Sequence, residues 1–150
     1  MRGSRVAAFD ALKIDQICEA RVALEKIAVR GAMATCRAHP ERLQVLDRLI
    51  TAMVRAGQQL DWAAISKADL EFHRELCRMS GNPVIATLWE ALARHVLIVF
   101  GTEIRGEQDV ASLGPQHRRL RDMLLAADRS AMDEEIERHI LRLRTPGRQP

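Results

Sequence analysis

Four helical stripes in this chain carry a charged or imidazole side chain in a slot where an apolar residue is expected. Breakers at Pro40, Gly57, Gly81-Asn82-Pro83, the Gly101–Gly106 region, Gly114-Pro115 and Asp128–Ser130 divide the chain into helical patterns. Six helices are expected, roughly at 13–38, 41–56, 62–79, 83–104, 112–127 and 130–144. The second is ordinary, with Leu43, Leu46, Ile50 and Met53 on one face. The others are not. Arg21 falls between Ile17 and Leu24, and Asp69 falls between Ile65 and Phe72, with His73 beside it. His117 and His139 fill the gaps in the fifth and sixth stripes. Buried polar groups are costly unless something satisfies them. The same interruption on several helices therefore calls for a common partner.

Composition supports an all-α reading. There is no Tyr and aromatics are 3%, which disfavours a β-rich fold, while Ala, Leu and Arg favour helix. Short connections then predict an antiparallel bundle of six to seven helices. Asp61 and Asn82 suit N-caps, and Pro83 suits a first helical position. Residues 1–12 read as a linker or wing remnant, 13–144 as the helical domain and 145–150 as a tail.

Several classes drop out. The apolar stretch Val84–Phe100 contains Glu90, Arg94 and His95, so no membrane span is expected. Cys18, Cys36 and Cys77 are widely spaced and odd in number, which argues against a disulfide scaffold and for a reducing cytoplasm. A net charge of +3 does not by itself argue for nucleic acid. The basic residues at the ends, Arg2, Arg5, Arg138, Arg142, Arg144 and Arg148, read as solvated termini.

The remaining polar residues suggest a metal site. Asp69 and His73 share a helical face. His117 and His139 are equidistant from the turn signal at Asp128, so a helical hairpin brings both imidazoles to one height. Imidazole and carboxylate suit zinc, nickel, cobalt, iron or manganese. The residues do not choose among these; zinc is the first expectation. A divalent cation with one carboxylate and three neutral imidazoles keeps a positive charge and open positions, which suits a small anionic ligand. Arg21 faces inward and either forks onto that ligand or pairs with Glu25. By the same mirror argument about Asn82, His95 is level with Asp69, which makes it and the adjacent Arg94 candidate ligand-lining residues.

These residues also carry a family resemblance. Glu19-Ala20-Arg21-Val22-Ala23-Leu24-Glu25 resembles the first helix of the FCD domain, the effector-binding domain of FadR-subfamily GntR transcriptional regulators. Asp69-Leu70-Glu71-Phe72-His73 followed by Ser80-Gly81-Asn82-Pro83, then Gln116-His117-Arg118, Ala127-Asp128 and Glu137-Arg138-His139-Ile140, resemble its later motifs in the same order. The resemblance covers residues 13–144. It implies an all-helical, usually dimeric domain. It also implies a divalent metal on Asp69, His73, His117 and His139, and a small organic acid near Arg21. The family's winged helix-turn-helix is not seen here, so DNA binding is expected only through a module absent from this sequence. Two other readings stand beside this one. The first is a metal-dependent helical-bundle hydrolase, disfavoured because no HExxH motif or placed general base is present. The second is a truncated dimerisation module.

Overall fold

The structure is a computed structural model that describes residues 2–107 and 110–142, without the side chains of residues 2–10 and 98–107. Its elements are α1 (Arg2–Ala38), a short 3-10 turn (Pro40–Arg42), α2 (Leu43–Gln58), α3 (Trp62–Met79), α4 (Pro83–Glu107), α5 (Val110–Ala126) and α6 (Arg129–Leu141). The expected all-α class holds, with six α-helices and no strand among the described residues. The tail at 145–150, together with Arg144 and Leu143, lies outside the described residues.

Caps set the helix starts. The Asp61 side chain accepts from the Ala64 amide at 3.0 Å, and Asp128 accepts from Ala131 at 2.8 Å. Asn82 accepts from the amides of Val84 at 3.1 Å and Ile85 at 3.2 Å, with Pro83 opening α4 as expected. Each cap satisfies backbone donors that a first turn cannot. After α2 the chain turns at Leu60, whose φ of 53° lies in the left-handed region.

Three expected boundaries move. Helix α1 begins at Arg2 rather than near residue 13, because strong helix formers such as Ala7, Ala8, Ala11 and Leu12 continue the pattern upstream. The glycines at 101 and 106 do not end α4, which runs to Glu107. Gly114-Pro115 does not end a helix either, since both lie inside α5. Pro115, the sixth residue of α5, has no N–H to give to the ladder, so its turn of the helix is held by its neighbours' bonds and by packing. Gly114 lets α5 approach α2: a Cβ there would lie 2.6 Å from Val54 Cγ2.

Helix α1 is the spine of the bundle, packing against α3, α4, α5 and α6, while α2 covers α3 and α5. The main core joins Leu46 and Ile50 of α2, Phe72 and Leu76 of α3, Leu120 and Leu124 of α5, and Ile136 and Ile140 of α6. A second cluster packs Ala28 and Cys77 against Ile85, Trp89 and Ala93 of α4. All three cysteines are buried as free thiols, as small apolar residues would be. Helix α4 is not central. It buries Ile85, Trp89, Ala93 and Val96 and leaves Val84, Leu88 and Leu97 exposed. No helix among the described residues is long and apolar enough to cross a membrane.

Candidate metal centre

Three elements bring four donors together. Asp69 and His73 come from α3, His117 from α5 and His139 from α6, and all four side chains are buried. One ligand atom from each lies within 4.8 Å of the others. The His73 and His139 Nε2 atoms are 3.2 Å apart, and His117 Nε2 is 2.8 Å from Asp69 Oδ1. Phe72 forms an apolar floor, its ring edge-on to His117 with centroids 4.8 Å apart.

Hydrogen-bond partners assign the ring protons. His117 Nδ1 lies 2.8 Å from the Leu113 carbonyl, which can only accept, so Nδ1 donates. Burial also holds His117 below its ordinary pKa despite the opposing pull of Asp69, which keeps the ring neutral. Its Nε2 is therefore a lone pair, and it faces a carboxylate oxygen. Neither Asp69 oxygen nor His117 Nε2 has a hydrogen-bond partner. Two buried acceptors face each other with no proton to share, an arrangement that a cation between them relieves. The group thus fits a divalent ion by the chemistry of its donors as well as by their convergence.

The surrounding shell orients His73. Its Nδ1 lies 2.5 Å from Glu25 Oε2, which turns Nε2 toward the centre. Glu25 is fully buried and also accepts from Arg21 Nε at 3.0 Å and Trp89 Nε1 at 3.0 Å. Burial would raise the Glu25 carboxyl, but His73 and Arg21 outweigh it and hold the group well below the carboxylate range. Asp69 is also held low against burial, with the charge of the Arg142 guanidinium among the causes.

A model of the FCD domain matches residues 16–142. The chain belongs to the FCD family. Its members are effector-sensing domains of GntR-type regulators. No curated protein matches the chain.

In this FCD domain the remaining expected site residues divide. Arg21 is buried and turned inward, and it pairs with Glu25. Arg94 and His95 are exposed and do not join the cluster. The mirror argument about Asn82 addressed height along the helix but not facing, and α4 turns Ala93 and Val96 inward instead.

Two residues at the centre were not singled out by the sequence. Glu25 was weighed only as a partner for Arg21, although its spacing on the same stripe places it inside. Arg142 was read as a solvated terminal charge, and the structure corrects that. Its Nη1 lies 2.7 Å from His139 Nδ1, and its Nη2 lies 3.7 Å from Asp69 Oδ1. Burial pulls this guanidinium down to about 10. The available signal was its spacing from His139, three residues on and one face of α6.

Proposed function

We propose that this domain senses a small carboxylate metabolite through a divalent metal held by Asp69, His73, His117 and His139, with zinc as the first candidate. A bound ion supplies Lewis-acidic positions that a carboxylate can occupy. Glu25 orients His73, Leu113 orients His117, and Arg21 supplies positive charge beside the centre. The observation that carries this reading is the unrelieved pair of acceptors, His117 Nε2 and Asp69 Oδ1 at 2.8 Å.

Occupancy would tie α3, α5 and α6 together at one point. In a GntR-type regulator a change in that packing would alter the spacing of DNA-reading modules, and so operator binding. The exposed Val84, Leu88 and Leu97 on α4 support a homodimer with that helix in the interface. The reading is of a cytoplasmic regulator.

Zinc stoichiometry tests it. Native mass spectrometry and calorimetry on the chelator-stripped domain should find one zinc per chain, with a matching rise in Tm. No zinc uptake, with Tm unmoved by zinc or chelator, sinks the reading.

A further inference from the structure

Among the described residues, four charged side chains are enclosed at the centre: Arg21, Glu25, Asp69 and Arg142. Their charges cancel. Arg21 meets Glu25 at 3.0 Å, whereas Arg142 Nη2 lies 3.7 Å from Asp69 Oδ1, beyond hydrogen-bond reach. Glu135, another buried charge, is met by Arg119 and Arg138 and leaves the balance unchanged. Arg142 is the outermost of the four, 14% exposed where the others are nearly sealed. Its Nη1 lies 2.7 and 3.0 Å from the two nitrogens of His139, so the guanidinium rests over the ring face. Its buried Nε has no hydrogen-bond partner. A guanidinium pairs best with a carboxylate in a two-bond fork, and Asp69 is too distant to complete one.

A divalent ion upsets this balance. Held by Asp69 and three neutral imidazoles, it adds two positive charges to an enclosure that is otherwise neutral. It also takes up the carboxylate toward which Arg142 leans. Uncompensated charge in a buried site is costly. A monocarboxylate offsets half of the added charge, and a dianion offsets all of it. The second carboxylate of such a dianion suits the Arg142 fork, beside the ion and on the side that reaches solvent. Arg21 is less suited to that part, because Glu25 already balances its charge.

We infer that the effector is a small dicarboxylate, with one carboxylate on the metal and the other on the Arg142 guanidinium. The inference rests on the metal reading above and narrows its carboxylate ligand to a dianion.

Calorimetry on the zinc-loaded domain would compare malonate, succinate and glutarate with propionate, butyrate and valerate, the monoacids of matching length. The best diacid should bind wild type about ten-fold or more tighter than its matched monoacid, which is the contribution of a hydrogen-bonded charge pair. In Arg142→Gln that ratio should fall toward one, and Arg142→Lys, which keeps the charge without the fork, should retain part of it. A merely structural role would weaken both classes of acid alike and leave the ratio unchanged. No diacid preference in wild type, with zinc bound, overturns the inference and leaves the metal reading intact. A preference undiminished in Arg142→Gln overturns the assignment of the second carboxylate to Arg142. Absence of zinc binding in wild type overturns both readings. Should the variants fold poorly, wild type alone decides: the Arg142 Nε–H signal in nitrogen-15 spectra should shift with the best diacid and not with its matched monoacid, and an unmoved signal overturns the assignment.

Discussion

His117 and His139 meet edge to face, their ring centroids 4.6 Å apart and their planes at 86°. The turn capped by Asp128 folds α5 and α6 into a hairpin that brings the rings to one height. Removing either ring deletes a donor while leaving the hairpin's apolar contacts in place. In His117→Ala or His139→Ala, saturating zinc should no longer stabilise the domain. In wild type a hundred-fold excess over Kd is worth about 2.7 kcal/mol. Thermal melts with zinc and with chelator check this, and a wild-type-sized zinc shift in both variants contradicts it.

Acid should destabilise the metal-free domain. Burial, reinforced by Arg142 and the neighbouring rings, holds His139 well below 6.5, and burial lowers His117 as well. Asp69 and Glu25 are also held low. Each depressed group binds its proton more readily in the unfolded chain, so stability rises with pH wherever that difference operates. The contribution of the imidazoles is complete above about pH 7 and falls away below about pH 6.5, and that of the carboxylates falls away below about pH 4. Denaturant midpoints at pH 8, 6.5 and 5 should decline in that order. A flat or rising series would be inconsistent with these burials.

Glu25→Gln should weaken zinc binding ten- to hundred-fold, roughly, because His73 loses the carboxylate that orients it. It also takes the Glu25 charge away from the buried Arg21, at a cost of about 3 kcal/mol. Trp89 reports the change directly, since its Nε1 donates to Glu25 Oε1. In a Trp62→Phe background its emission should shift in Glu25→Gln but not in Glu137→Gln, which removes an exposed partner of Lys26.

Gly31 lies where α1 passes the turn between α3 and α4, and a Cβ there would collide with the Ser80 backbone carbonyl. Backbone cannot swing aside as a side-chain tip can. Gly31→Ala should cost about 1–3 kcal/mol despite alanine's better helix propensity. Urea unfolding measures it, and a stabilised Gly31→Ala would contradict the close approach.

Leu60 is exposed with φ of 53°, just past the end of α2, where glycine is the usual residue. Leu60→Gly should stabilise the domain by about 0.5–1 kcal/mol, the left-handed penalty less the added freedom of the unfolded chain. The same urea series reads it, and a loss of stability would show that the Leu60 side chain contributes packing.

The sequence by itself determined the helical class and most of the helix ends, because periodicity and caps are local. Asp61, Asn82 and Pro83 act where they stand. It also indicated that Asp69, His73, His117 and His139 belong together, because a polar residue in an apolar stripe has to find a partner and the hairpin turn equalises their heights. The facing of neighbouring helices was a tertiary matter. Arg94 and His95 are at a suitable level but on the outer side of α4, and the rotation of that helix is set by the burial of Trp89, Ala93 and Val96. Glu25 and Arg142 became legible only in three dimensions. A charged residue on a helix reads as solvated until the packing of α1, α3 and α6 shows which charges are enclosed with a partner. That packing also decides the direction of the His117 ring proton, toward the Leu113 carbonyl, which spacing along a chain cannot reveal.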